Sequence, residues 1–223
     1  MSLLKTLLEH TRQHVYDPQP APLGSMGVFH CHHRQTLRAV PLWQPSIVVV
    51  LQGTKRMVSG HVDLVCEAGE MLLIPAHSEV LLENIPDAAS QDYLALCLSF
   101  YPASIATFLE TLGKDLQWDH QDHRVRVAVP EDILLSLLQR LQWGQWLRNA
   151  PDLLEVRQQE LLALLARYGI LGPLLINRHP SIAQRVEALL GMNCAHAWRI
   201  SEMARQLGMS ETTLRRELGR EGT

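Results

Sequence analysis

Residues 198–223 read WRISEMARQLGMSETTLRRELGREGT, two helical stripes separated by a break at Gly208, Met209 and Ser210. In the first stripe Ile200, Met203, Ala204 and Leu207 recur at three- and four-residue spacing and share one face. Ala204 is small where a second helix has to come close. Gly208 suits the left-handed turn that ends a helix, Met209 can plug the corner, and the Ser210 hydroxyl can cap the next helix. This is the grammar of a helix-turn-helix. At about 100° per residue, Leu214 and Leu218 mark the buried face of the second helix. Thr212, Thr213, Arg216 and Arg220 then point away from it, and Arg215 lies on the flank. Arginines can grip guanine O6 and N7 in a major groove, while threonines serve phosphate, sugar or a thymine methyl. Two ordinary amphipathic helices with a solvated charged face are the alternative reading of the same stripes.

Working outward, Pro180 suits the first turn of a further helix carrying Ile182, Val186, Leu189 and Leu190. Residues 169–181, GILGPLLINRHPS, hold two glycines and two prolines and read as a linker. Before it, SIATFLETL, EDILLSLLQRLQWGQWL and DLLEVRQQELLALLARYGIL have helical leucine spacing. In the second of these, Ile133, Leu134, Leu137, Leu138 and Leu141 form a broad apolar face suited to a domain core or to a subunit contact. From about residue 26 to residue 101 the pattern is β-rich: MGVFH, TLRAV, SIVVVLQG, KRMVSG, HVDLVCEAG, EMLLIPA, EVLLENIP and YLALCLSF, with turns at Gly53, Gly60 and Gly69. Short strands so closely spaced suggest a sandwich or barrel, and Ile47 to Leu51 can fill an interior from both faces. The fold class expected is α+β: a β-rich and helical domain over 1–168, the linker, and an all-α segment over 182–223.

With 223 residues and 47% hydrophobic side chains, the chain is long enough for one or two domains with real cores. Residues 1–177 carry 13 Lys and Arg against 18 Asp and Glu, whereas residues 178–223 carry 7 Arg against 5 Glu. The positive end is mild, so charge alone does not establish nucleic-acid binding. Cys31, Cys66, Cys97 and Cys194 show no metal-finger spacing and read as core thiols of a reducing compartment. The opening MSLLKTLLEHTRQHV is an amphipathic helix interrupted by Lys5, Glu9 and Arg12, unlike a signal peptide. No stretch approaches the roughly 18 to 20 apolar residues of a membrane span, so a soluble cytoplasmic protein is expected.

The pattern W-x-I-x-x-M-A-x-x-L-G-M-S-x-x-x-L-x-R-x-L-x-x-E-G-T resembles the first helix-turn-helix of the AraC/XylS family of bacterial transcription regulators, with Trp198, Ala204, Leu207, Met209, Ser210, Leu214 and Arg216 at family-typical positions. QPSIVVVLQGTKRMVSG, AGEMLLIPA and DYLALCLSF resemble the sensor half of such regulators. The resemblance implies a cupin-like sensor barrel, a helical dimerisation region and a DNA-binding domain in which Thr212, Arg215 and Arg216 contact bases of double-stranded DNA. It also implies a homodimer, with RNA polymerase as a partner if the protein activates. Family members usually continue from E-G-T into a second helix-turn-helix, so a partial DNA-binding domain with weak, strongly salt-dependent affinity is expected. Branches with a similar E-G-T ending include virulence and acid-response activators, some sensing fatty acids, and a fatty acid is therefore an implied candidate effector.

A basic group facing an acidic effector is sought among Arg38, Lys55 and Arg56. His30, His32 and His33 cluster in sequence, with His61 and His77 in the same half, and in a strand His30 and His32 face one side. A metal-dependent cupin needs His and carboxylate ligands on adjacent strands. No glutamate follows H-x-H at short distance, so scattered surface or hydrogen-bonded histidines are expected, with no metal and no cofactor. No phosphate loop or nucleophile elbow is present, and no enzyme is expected. Two alternatives stay open: a cupin-type metalloenzyme with a helical appendage, and a sensing or dimerisation module that does not bind DNA alone.

Overall fold

The computed structural model describes residues 2–16, 26–60, 62–113, 125–147, 150–176, 181–192 and 196–221. His61, Cys194 and the final Gly222 and Thr223, which entered the sequence reading, lie outside these residues, as do 177–180 of the expected linker. The chain divides into two units, Met1–Ile176 and Asn177–Thr223.

The first unit opens with helix α1 (Leu3–Tyr16) and continues through eight strands: β1 (Met26–Cys31), β2 (Gln35–Leu42), β3 (Ser46–Gln52), β4 (Thr54–Ser59), β5 (Val62–Glu67), β6 (Glu70–Ile74), β7 (Ser78–Ile85) and β8 (Tyr93–Ser99). Helix α2 (Pro102–Thr111), strand β9 (Arg126–Ala128), and helices α3 (Glu131–Leu147), α4 (Pro151–Arg167) and α5 (Gly172–Leu175) follow. The expected barrel takes the form of two sheets, β1-β8-β3-β6-β9 and β2-β7-β4-β5, with every paired neighbour antiparallel.

Alternation along three strands explains the apolar runs. Ile47, Val49 and Leu51 of β3, Met71 and Leu73 of β6, and Leu94, Leu96 and Leu98 of β8 join a core completed by the helices, including Leu7, Phe108, Ile133, Leu137, Leu161 and Leu165. The intervening Val48, Val50, Leu72, Ile74 and Ala95 join a second core with Met57, Val80 and Leu82 of the other sheet. A strand covered on both faces has no polar side to show in its sequence. The α3 stripe of Ile133, Leu134, Leu137 and Leu138 belongs to the first core, leaving Leu135 and Trp143 exposed on that helix, and Leu153 and Val156 on α4.

The stretch read as a linker is ordered in its first half. Ile170, Leu171 and Leu174 are buried in the first core, and Pro173 opens α5. Glycine and proline here shape a tight, packed turn. Strand β9 was not expected: three residues at a sheet edge, with only Val127 partly buried against the core, give too short a pattern to read.

Gly53, between β3 and β4, has φ +78°, and a Cβ there would lie 2.5 Å from the Ile85 carbonyl oxygen. That oxygen is backbone, so relief requires moving a strand. Gly53→Ala is expected to destabilise the first unit by roughly 2–3 kcal/mol, read as a lower denaturant midpoint with an unchanged slope. An unchanged midpoint would remove the constraint.

Candidate functional site

The second unit contains α6 (Ile182–Met192), α7 (Ile200–Gln206) and α8 (Glu211–Glu221). Ala204 of α7 and Leu214 of α8 are its most deeply buried described side chains, and α7 and α8 pack on one another. Gly208 adopts φ +71°. The amides of Gly208 and Met209 donate back to Arg205 and Ala204 (3.1 and 2.9 Å) and close the end of α7. Ser210 Oγ then accepts the Thr213 amide at 3.1 Å, the N-cap expected from sequence. The two helices and their turn therefore stand as the sequence grammar describes.

Two cross-ties escaped the sequence reading. Arg185 of α6 donates to the Leu207 carbonyl oxygen (2.9 Å). The Glu221 carboxylate at the end of α8 accepts the amides of Ile182 and Ala183 (2.9 and 2.8 Å), and these bonds hold its pKa below the usual glutamate value, Ala183 contributing most. Only a helix-start donor pair meeting a carboxylate 38 and 39 residues away makes this cap, and local pattern carries no trace of it.

On the outer side of α8, the side chains of Arg215, Arg216 and Arg220 are 62%, 68% and 74% exposed, and Thr212 is exposed. Arg215 pairs with Glu211, while Arg216 and Arg220 share Glu217. Such exposed helical pairs are worth only a few tenths of a kcal/mol, so they orient the guanidinium groups without withholding them from a stronger anion. Thr213 stands apart: its hydroxyl lies 2.8 Å from Ser210 Oγ and belongs to the cap.

In the first unit the three basic residues sought for an effector do not gather. Lys55 and Arg56 are neighbours on one strand, and the pleat sends them to opposite faces. Arg56 points outward to Asp63 (2.8 and 2.7 Å) and to Glu83 (3.2 Å), which Arg34 also engages. These guanidinium groups, Arg34 first, hold the Glu83 carboxyl below its usual pKa. Arg38 is exposed on β2 beside a bulge between Leu37 and Val40. Arg38 and Arg56 thus lie away from the space between the sheets, where Lys55 is found.

Lys55 has no exposed surface. Its ammonium donates to Asn84 Oδ1 (2.6 Å) and Tyr93 Oη (3.4 Å), and lies 5.1 Å from the Phe29 ring centroid. Asn84 is held in turn by donating to Gln35 (3.0 Å). No carboxylate among the described residues pairs with Lys55. The neighbouring thiols supply no charge at neutral pH, because burial pushes Cys97 up to about 11 and Cys66 to about 12. Burial drives the Lys55 pKa down to about 8.

His30 and His32 are hydrogen-bonded histidines, one of the two readings their sequence allowed, and they share one carboxylate neighbour. His30 Nε2 lies 2.7 Å and His32 Nδ1 3.6 Å from Asp92 Oδ1, while Arg12 of α1 donates to Asp92 Oδ2 at 3.2 Å and to Gln52. The carboxylate comes from the residue before β8, which β1 pairs with in antiparallel register, Cys31 opposite Tyr93. A search for glutamate close in sequence to H-x-H could not find it.

A β domain with a cation held between its sheets, and a helix-turn-helix with an arginine-lined outer face, are the parts of a DNA-binding transcription regulator with an N-terminal effector-binding domain. The profile of the AraC-type transcriptional regulator N-terminus matches residues 22–167, and the chain belongs to that family. Residues 195–220 match the profile of the bacterial regulatory protein, Fis family. Among solved structures, an apo form of a ToxT variant from Vibrio cholerae is similar with TM-score 0.56 at 11% identity, covering 89% of this chain and 75% of that one. Wild-type ToxT from Vibrio cholerae bound to an unsaturated fatty acid has TM-score 0.52 at 10% identity, covering 89% and 73%. ToxT from Vibrio cholerae O395 bound to a naphthalenyl butenoic acid has TM-score 0.53 at 11% identity, covering 89% and 76%. At these identities the likeness is one of fold. No curated protein matches the chain. No helix among the described residues is long and apolar enough to cross a membrane.

The Lys55 environment sets a pH dependence. Because its folded pKa lies below the unfolded value, the unfolded chain binds the extra proton between about pH 8 and 10.5, so this lysine costs stability fully below that window and progressively less as pH rises through it. Lys55→Met removes the titration. Its loss of the Asn84 bond is the same at every pH and drops out of a comparison. Relative to the native chain, the variant is therefore expected to lose on the order of 3 kcal/mol of advantage between about pH 7 and about pH 10, measured by denaturant unfolding. A pH-independent difference would show that Lys55 is not a desolvated cation.

Proposed function

We propose that α8 enters the major groove of double-stranded DNA, with Thr212, Arg215, Arg216 and Arg220 as reading or phosphate-binding residues and Thr213 acting through the cap that sets the start of the helix. The observation carrying this is the polarity of α8: Leu214 is fully buried while the three arginine side chains stand in solvent. The unit that ends at Ile176, with its packed corner at Ile170 to Leu175, is the sensing and dimerisation part, and residues 182–223 are the DNA-binding part. The exposed Leu135, Trp143, Leu153 and Val156 on α3 and α4 suit contact with a second copy. RNA polymerase is the partner if regulation is positive. The protein acts through binding, without catalysis.

The effector proposed is a carboxylic acid of fatty-acid type, its headgroup meeting Lys55. A buried ammonium whose described partners are neutral attracts an anion more strongly than a surface lysine does, and two of the ToxT structures hold an unsaturated fatty acid and an aryl butenoic acid. Binding would add the missing negative charge between the sheets and bias how the sensor holds the DNA reader.

Duplexes selected from a random pool by the full chain provide the DNA for the first test. Arg216→Ala should weaken binding by about 1–3 kcal/mol and relax base preference at one position, while Arg220→Ala should weaken all duplexes alike and flatten the salt dependence. Unchanged affinity and preference for Arg216→Ala would remove it from the groove. For the effector, titration calorimetry with a monounsaturated long-chain fatty acid should give saturable binding, weakened about tenfold or more in Lys55→Met, since a charge-assisted contact is worth roughly 1.5–3 kcal/mol. Equal binding by the two chains would place the headgroup elsewhere.

A further inference from the structure

The rim of the first sheet brings together a group of side chains that neither DNA reading nor the Lys55 environment uses. His30 and His32 are two apart on and just after β1, so the pleat turns them to one side, and antiparallel pairing with β8 sets Asp92 against them. The two ring nitrogens and the carboxylate oxygen lie within 4.8 Å of one another, and this is the group of metal-ligating type found among the described residues. The rings meet edge to face, centroids 4.7 Å apart at 80°, so the nitrogens converge without the rings stacking flat.

We propose that His30 Nε2, His32 Nδ1 and Asp92 Oδ1 bind a divalent transition metal ion of the zinc or nickel type. The spacing fits: ligands about 2.0–2.2 Å from a tetrahedral ion are roughly 3.4 Å apart, between the 2.7 and 3.6 Å separations of the two histidines from Asp92. Two imidazoles with one carboxylate select borderline transition metals over magnesium or calcium, which prefer oxygen. The carboxylate is divided between tasks. Oδ1 faces both histidines, and Oδ2 accepts from Arg12, which orients the carboxylate as the hydrogen-bonding groups behind a metal ligand do. His32, its side chain 58% exposed, leaves one side open for ion entry and for a water or external ligand.

The same geometry gives the site a mechanical output. Arg12 ties α1 to the sheet through Asp92 and Gln52. An ion at Oδ1 draws on the charge that Arg12 shares, so metal occupancy weakens the tie of α1 to the sensor. The simpler role, a network that pins α1 without metal, uses His30, Asp92 and Arg12, while His32 Nδ1, too far from Oδ1 for a hydrogen bond, reaches only the Gln91 carbonyl oxygen at 3.4 Å. His32 therefore separates the two roles.

The test is calorimetric titration of the chelator-treated full chain with zinc chloride, with magnesium chloride as control, on the native protein, His32→Ala and His33→Ala. One zinc per chain is expected, with no response to magnesium. His32→Ala should weaken zinc at least tenfold with an unchanged circular dichroism spectrum, and His33→Ala, also on the exposed bend, should leave the affinity as it was. X-ray absorption of the zinc-loaded native chain should give two imidazole nitrogens in the first shell. Absence of zinc binding overturns the proposal, as does zinc binding that survives His32→Ala or that His33→Ala abolishes.

Discussion

Strand β3 belongs to two cores at once, and the architecture of the first unit follows from that sharing. Ile47, Val49 and Leu51 face the helices, while Val48 and Val50 face the second sheet. Each such side chain removes about 1.5–3 kcal/mol worth of apolar surface from water, and neither face can be exposed without losing one set. The helical layer and the β2-β7-β4-β5 sheet are thus both needed to cover one central sheet. What remains free to vary is the polar content between the two sheets, where Lys55 lies.

Residue parity decides which charges enter those spaces. Lys55 and Arg56 differ by one position, yet one lies among Phe29, Tyr93 and Asn84 and the other meets Asp63 and Glu83 outside. Burying Lys55 without a carboxylate costs stability that an apolar residue would not. The only described hydrogen-bond partners of Lys55 are the neutral Asn84 and Tyr93, so the charge stands uncompensated, as the proposed carboxylate effector requires.

Legibility in the sequence followed the range of the interactions. The α7–α8 turn was readable because Gly208, Ser210, Ala204 and Leu214 act over a few residues, each with a local physical preference. The apolar run from Ile47 to Leu51 announced a strand buried on both sides. Hidden from the sequence were contacts made across strand pairing or between distant helix ends: His30 with Asp92, Lys55 with Asn84, and Glu221 with the start of α6. Which of three basic residues turned inward depended on register, and register is set by partners far along the chain. The glycine- and proline-rich 169–181 stretch misled in its first half because those residues serve a packed corner as readily as a free connection.

The Glu221 cap joins the last turn of α8 to the first turn of α6. Helix ends ordinarily fray first, and a helix at the edge of a small unit would exchange its final amides with solvent well before the unit melts. With its terminal carboxylate engaged by two amides of another helix, α8 can loosen only if α6 also gives up its capped start. Peeling the last turn of α8 therefore costs both of these bonds, and the end of the arginine-bearing helix is held in order by α6. In the proposed docking of α8 on DNA, less conformational entropy is then left to be lost.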